Sequence, residues 1–511
     1  MKSKYILLGI ILILISLVSC KMDKAKSQKL SSLSELEDMI NPVYRINHDS
    51  VRLKIRSHLM AVKEKTPWDS AMIAHYWNGG DFIWMDKPES NAADSLLYWL
   101  DNVSRHGLRS DLYPTTTIRE KLSQIRSLQF QDGNTLNGLL ADVEYQLTSA
   151  YLSYVCKLKF GFLPPERRWN DSVAWVSLKR CDKQFVEAAL DSLKANPNAA
   201  FHWAQPASRY YTKLQQEFER VNSWGATDTT EYYRNRLSVN MERARWQYAL
   251  DKGKKYVSVN VAAYMLQAIN EKTDTVVEMK ICVGKAKNKT PLLSSRIYYM
   301  ELNPFWNVPQ SIIKKEIIPT YRRDTTYFTR NRMKVYDKEG NQLDPHSIKW
   351  AKYAGENVGV PYSVKQDNKT GNSLGRIIFR FPNKYDVYLH DTPSRGAFWL
   401  KTRAVSHGCV RLERALDFAL FLLKDKDKLL EDQIRIAMDI KPVSEEGKKL
   451  SRSAAYNELK HYSLKEYIPL YIDYQTVYLS KDGKLSYCED IYDYDSSLLA
   501  AMKENDLISK P

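Results

Sequence analysis

Ser406-His407-Gly408-Cys409-Val410-Arg411-Leu412 decides how this chain is read, together with His390-Asp391-Thr392-Pro393, whose histidine lies nineteen positions before the cysteine. A cysteine in a glycine-containing turn, with a histidine ending a neighbouring strand, has the parts of a thiol nucleophile. The sulfur attacks, the imidazole takes and returns the proton, and turn N–H groups receive the oxyanion. Two imidazoles are candidates for the base. His407 is only two residues from Cys409, an awkward approach, whereas His390 arrives from another strand. Asp391 invites a Cys-His-Asp triad, but successive strand residues point to opposite faces. A backbone carbonyl is the better orienting group for His390. The plain alternative is a buried thiol beside a surface imidazole. A zinc site from His390, His407 and Cys409 lacks a fourth ligand, so no metal and no cofactor are called.

Outward from this stretch, 376–381 and 385–390 flank Pro382-Asn383-Lys384, a hairpin signal. Upstream, Val257, Val259 and Val261 alternate as in a half-buried strand, and a second strand follows over 275–283. Downstream, 412–423 reads as a helix with Leu416, Leu420 and Leu423 on one face. Its N-terminus, just after Cys409, would lower the thiol pKa. Residues 40–220 read mainly as helix. Leu96, Leu100 and Val103 stand at helical spacing before Gly107, as do Leu140, Val143, Leu147, Tyr151, Tyr154 and Leu158 before Gly161. A scaffold role suits that region. The polar run 443–458 reads as a linker, followed by strand-like pieces and a closing helix. The fold class is α+β.

The 511 residues allow two to four domains, and a composition with 44% hydrophobic residues excludes wholesale disorder. The formal charge of +16 favours polyanionic surroundings. No nucleic-acid motif accompanies it, so nucleic acid is not called as a partner. Residues 1–19 have a short basic start (Lys2, Lys4) and an apolar stretch too short to span a membrane, as in a signal peptide. The stretch ends in Leu17-Val18-Ser19-Cys20, which resembles a bacterial lipobox with Cys20 as the lipidated residue. Residues 20–39 would then be a tether from a membrane, and loss of Lys2 and Lys4 would leave +14. Cys156, Cys181, Cys282 and Cys488 have no ligand or framework spacing, and isolated buried thiols are the default for them.

His390-Asp391-Thr392 followed by Ser406-His407-Gly408-Cys409-Val410-Arg411 resembles the signature of the L,D-transpeptidases, whose catalytic fold is called the YkuD domain. Val283-Gly284-Lys285 with Thr290-Pro291, Asn303-Pro304-Phe305-Trp306, Asn372-Ser373-Leu374-Gly375 and Asp490-Ile491-Tyr492 are similar to its large, multi-domain branch. His106-Gly107-Leu108 and Gly161-Phe162-Leu163-Pro164 resemble that branch's scaffold domain. The resemblance implies a helical scaffold domain over 40–220. It implies a mainly β, mixed-sheet sandwich catalytic domain over 251–442, with a lid-like capping segment at about 310–350. Residues 443–511 would be a linker and C-terminal extension. It implies Cys409 as nucleophile, His390 as base and acid, and Gly408 and Cys409 N–H groups in the oxyanion hole. Arg411 would bind substrate or hold the turn, while Ser406 and His407 would shape the loop. The implied activity is 3–3 cross-linking of peptidoglycan stem peptides, donor and acceptor, in the periplasm. Water or an exported protein as acceptor, a non-catalytic wall-binding lipoprotein and a metallopeptidase are the alternatives. Large relatives carry a peptidoglycan-binding domain before the catalytic domain. Here 221–250 leaves room only for a short connection.

Overall fold

The structure, a computed structural model, describes residues 45–508 except 64, 86–90, 131–134, 164–177, 355–357, 370, 425–426 and 455. The signal segment 1–19, Cys20 and the tether 20–39 lie outside the described residues. The chain divides into two compact units. One holds the residues up to Val103, Ser110–Lys157 and Cys181–Gln205, and the other holds Ser104–Arg109, Leu158–Arg180 and everything from Pro206.

The first unit is helical: α1 (His48–Ala61), α2 (Pro67–Trp77), α3 (Ala92–Asp101), α4 (Thr115–Arg126), most of α5 (Leu136–Phe160), α6 (Lys183–Ala195) and α7 (Pro197–Ala204). Short polar side chains start these helices where unpaired N–H groups need acceptors. Thr66 and Asp69 form a capping box on α2, and Asp182 and Asn196 cap α6 and α7. The helical spacing read from sequence is the buried face: Leu96, Leu100, Val103, Leu140, Val143, Leu147, Tyr151 and Tyr154 are all in the core. Cys156 and Cys181 are joined by a disulfide, which corrects the default of isolated thiols for those two. Cys156 lies on α5 and Cys181 just before α6, so the pairing depends on how those elements pack and leaves no trace in the spacing.

In the second unit come α8 (Arg209–Asn222) and α9 (Asp228–Arg245), then β1 (Lys255–Asn260), β2 (Met265–Asn270), β3 (Thr275–Gly284) and β4 (Leu293–Leu302). A cap follows with β5 (Trp306–Asn307), β6 (Met333–Tyr336), β7 (Gln342–Leu343) and β8 (Ser363–Gln366). The main sheet resumes with β9 (Ile377–Arg380), β10 (Leu389–His390), β11 (Ala404–Ser406) and β12 (Val410–Leu412). It is followed by α10 (Ala415–Leu422), α11 (Lys428–Ala437), β13 (His461–Asp473) and α12 (Tyr494–Glu504).

The main sheet has the order β11-β3-β12-β10-β9-β4-β13-β1-β2, and β2 also pairs with β3. The ladder therefore closes on itself: β3 gives Thr275–Lys280 to β2, and Ile281 and Cys282 to β12. The two layers expected of a sandwich are one continuous sheet. β13 lies between β4 and β1 in its middle, so the region beyond 443 is more than an extension. Its Ile468, Leu470 and Ile472 belong to the same core as Val257, Ile281, Ile297, Phe379 and Leu412. The cap has its own four-stranded sheet and its own core, built on Ile313, Ile317, Phe328, Val335 and Trp350. It reaches from Trp306 to Gln366, beyond the 310–350 read from sequence.

The interval 221–250, read as a connection, is filled mainly by the 18-residue α9. On it Glu242 and Arg245, both fully buried, form a pair with Nη1–Oε2 2.7 Å. Glu242 Oε1 accepts the N–H groups of Phe162 (2.7 Å) and Leu163 (2.8 Å). Arg245 donates to the His106 carbonyl and to Tyr211 Oη. The glycines of both motifs are needed for close approach. Gly107 (φ 72°) lies against Ser238, and Gly161 (φ 95°) against Trp246, with a Cβ reaching within 2.7 Å and 2.6 Å respectively.

Candidate active site

β10 and β12 pair in parallel, with Leu389 opposite Val410 and His390 opposite Arg411. Side chains alternate along a strand, so this register sends Leu389 and Val410 into the core, where both are buried. Tyr388, Cys409, His390 and Arg411 then share the other face. The candidate nucleophile and base are thus neighbours on one side of two paired strands. No hydrogen bond joins Cys409 Sγ to the imidazole. Asp391 N–H continues the ladder to the Ile377 carbonyl at 2.9 Å.

His390 is buried, and its Nδ1 lies 2.5 Å from the carbonyl oxygen of Asp391. A carbonyl only accepts, so Nδ1 carries the proton and the ring is fixed as one tautomer. The Asp391 carboxylate points elsewhere. Its Oδ2 accepts the Arg376 N–H at 2.9 Å, and its Oδ1 accepts Arg395 Nη2 at 2.6 Å. The carboxylate therefore anchors backbone, and the residue's carbonyl orients the base.

The turn carrying Cys409 is tied from several sides. Ser406 Oγ donates to the Cys409 carbonyl at 2.6 Å and accepts the Gly408 N–H at 3.1 Å. Gly408 has φ 121°, open to glycine alone. Its carbonyl accepts Thr290 Oγ1 at 2.8 Å, and Thr290 Oγ1 accepts the Gly284 N–H. Tyr492 Oη accepts the Thr290 N–H and donates to the Gly284 carbonyl. Of the two N–H groups expected in the oxyanion hole, that of Gly408 is donated to Ser406 Oγ inside the turn. His407 Nε2 makes a 2.5 Å contact with Glu316 Oε1 of the cap. Arg411 has a buried Nε with no hydrogen-bond partner, and its charge acts on both His390 and Cys409.

The expectation of a helix dipole at the sulfur fails. Cys409 is followed by β12, and α10 starts only at Ala415. The helix read over 412–423 starts at Ala415 because Leu412 belongs to the strand, and a dipole acts within its first turn only. Burial pushes the Cys409 thiol up to about 11, against hydrogen bonds from Tyr388 and the charges of Arg411 and Arg380. Burial likewise holds the His390 imidazole down at about 4. Arg411 adds to that depression, and the carbonyls of Asp391 and Leu374 oppose it. At neutral pH the resting pair is an uncharged thiol and an uncharged imidazole.

Residues 254–435 match the YkuD family of L,D-transpeptidase catalytic domains, and residues 70–218 match a scaffold domain family. Residues 254–435 are an L,D-transpeptidase catalytic domain. A Haemophilus influenzae protein named "Putative L,D-transpeptidase" is 25% identical over 419 residues, covering 81% of this chain and 78% of that one. The catalytic sheet takes in β13, beyond the matched residues, so the domain's core is completed from the C-terminal region.

Four residues around the L,D-transpeptidase site went unassigned in the sequence reading. Thr290 and Tyr492 fall within motifs quoted for the resemblance, but only the closed sheet shows that they hold Gly408. Asn383 Oδ1 accepts the N–H groups of Tyr385 and Val387, and its Nδ2 donates to the Phe381 and Val387 carbonyls. This folds the loop in which Asp386 (φ 52°) turns its carbonyl towards the sulfur at 4.0 Å. Tyr388 is the fourth. No group of three or more His, Cys, Asp or Glu residues suited to a metal occurs among the described residues.

Proposed function

We propose that this protein is a peptidoglycan L,D-transpeptidase that forms 3–3 cross-links through a thioester on Cys409. The observation that carries the reading is the shared face of Cys409 and His390, with the base held by the Asp391 carbonyl. As Sγ attacks the carbonyl carbon of the donor stem's third residue, the thiol proton passes to His390. The S–C bond forms, the bond to the terminal D-alanine breaks, and His390 returns the proton to the departing amine. An amine of a neighbouring stem then attacks the thioester, its C–S bond breaks, and the displaced sulfur regains a proton through His390. The Cys409 N–H faces the oxyanion at each step, and Arg411, whose charge acts on both Cys409 and His390, binds the donor stem or holds the turn.

The lipobox around Cys20 supports export, lipidation and a place in the periplasm, held to a membrane by its lipid. No helix among the described residues is long and apolar enough to cross a membrane. Because α9 occupies most of the interval 221–250, this reading has no separate wall-binding domain there. Carbapenems acylate enzymes of this chemistry. The test is mass spectrometry of the folded protein after carbapenem treatment, read at the peptide containing Cys409. An adduct on Cys409, absent from Cys409→Ala, is expected. A folded wild-type protein that stays unmodified sinks the proposal. Muropeptide products assign the acceptor: cross-linked dimer for a stem amine, uncross-linked tripeptide for water.

A further inference from the structure

Tyr388 is opposite Cys409 in the extended β10–β12 register and shares its face with His390. Its ring meets the His390 ring edge-on, with centroids 5.7 Å apart and an interplanar angle of 65°. Arg380 of β9 lies over the same ring at 4.9 Å and is itself fixed by Glu301 of β4 at 2.8 Å. The backbone is equally fixed, because the Tyr388 carbonyl accepts the Val410 N–H at 3.1 Å. The phenol and the backbone of Tyr388 both act to hold the Cys409 thiol down against the effect of burial. One residue thus packs its ring against the base and lies across from the nucleophile on their shared face.

We propose that Tyr388 is a catalytic residue whose phenol donates a hydrogen bond to the Cys409 sulfur, stabilising the thiolate as its proton leaves and releasing it once the thioester forms. The direction of the bond follows from chemistry. Sulfur in a thiolate accepts strongly, whereas a thioester sulfur barely accepts, so the interaction is stronger on the way to the transition state than after it. Burial keeps the phenol protonated far above neutral pH, so it stays a donor throughout. The arrangement also answers a need of this site. α10 begins too far along the chain to stabilise the thiolate, and the resting imidazole is uncharged. The groups facing the sulfur are Tyr388, the Asp386 carbonyl, and the guanidinium groups of Arg411 on β12 and Arg380 on β9. Of the two charges, Arg380 is already paired with Glu301. The assignment rests on Cys409 as the reacting thiol, as in the proposed function, but not on its substrate.

The test is Tyr388→Phe in the full chain. The change keeps the ring against His390 and Arg380 and removes only the hydroxyl. Iodoacetamide alkylation is followed between pH 6 and 11 by mass spectrometry of the Cys409 peptide, with carbapenem acylation measured in parallel. A charge-assisted hydrogen bond predicts alkylation at pH 8 about tenfold slower in the variant, with its pH profile displaced upward by about one unit. Carbapenem acylation should slow by a similar factor. A folded variant with the wild-type alkylation profile overturns the proposal, since packing alone would leave thiolate formation unchanged. Should the wild type resist carbapenem while the alkylation profiles still differ, the transpeptidase reading falls and the Tyr388 assignment stands.

Discussion

The pH dependence of Cys409 and His390 separates two ways of running thiol chemistry. A resting ion pair would have a depressed thiol and a raised imidazole. This site has the reverse, with the thiol at about 11 and the imidazole at about 4. At pH 7 about one sulfur in ten thousand is ionised. Carbapenem acylation, in which His390 takes the proton during attack, should therefore hold a plateau from about pH 5 upward and lose rate only as the imidazole protonates near 4. Iodoacetamide, which reports pre-formed thiolate, should keep gaining about tenfold per pH unit through pH 9. Stability carries the same signature. The folded imidazole refuses a proton that the unfolded chain accepts below its ordinary 6.5. Protons therefore favour the unfolded chain, and stability falls as pH drops from about 6.5 towards 4. At about 1.4 kcal/mol per tenfold change in proton affinity, the loss is about 3 kcal/mol at most. His390→Gln should lose that part of the acid dependence. Stopped-flow acylation and alkylation over pH 4–11, with urea unfolding at pH 5 and pH 7, measure all three. An acylation limb near 6.5 together with an alkylation plateau below pH 8 would refute the uncharged pair.

Two further substitutions probe buried carboxylates, one beside the site and one on α9. Asp391→Asn should lower stability by about 1–3 kcal/mol, because both carboxylate oxygens accept donors and an amide supplies one acceptor only. The folded variant should acylate within a few-fold of wild type, and a loss as large as that of His390→Gln would return the carboxylate to the chemistry. Glu242→Gln strips the partner from a fully buried Arg245 and should cost about 3–5 kcal/mol in urea unfolding. A loss under about 1 kcal/mol would mean that the neighbouring N–H groups, rather than the ion pair, hold that helix.

How far the sequence could be read follows from the range of each interaction. The hairpin from β9 to β10 has a local turn signal, and it placed His390 at a strand end correctly. Alternation then sufficed to turn the Asp391 carboxylate away from the imidazole. The same local view began the helix after Cys409 three residues early, because Leu412 fits the stripe of Leu416, Leu420 and Leu423 as well as it fits the end of a short strand. Only the pairing of Arg411 with Cys282 separates the two. β13 looked like an appendage because its partners, β4 and β1, lie far back in the chain. The Tyr492 contact with Gly284 spans 208 residues, and nothing near either residue announces it. β2 was passed over because Met265–Asn270 has no clean alternation and lies between two clearer strands.

The ties on the catalytic turn differ in strength, and the difference says where the site can move. Ser406, Thr290 and Tyr492 hold the turn through hydrogen bonds at buried or part-buried groups. Breaking any of them leaves a polar group without water, at about 1–3 kcal/mol each. The link from the turn to the cap is of another kind. His407 and Glu316 meet with side chains still 32% and 45% exposed, and exposed pairs of this sort contribute about 0–1 kcal/mol. The cap has its own core on Ile313, Phe328 and Trp350, so its packing does not depend on that pair. Breaking that one contact therefore costs far less than deforming the turn itself. Parting His407 from Glu316 leaves Cys409, Tyr388 and His390 in the positions that the closed sheet gives them.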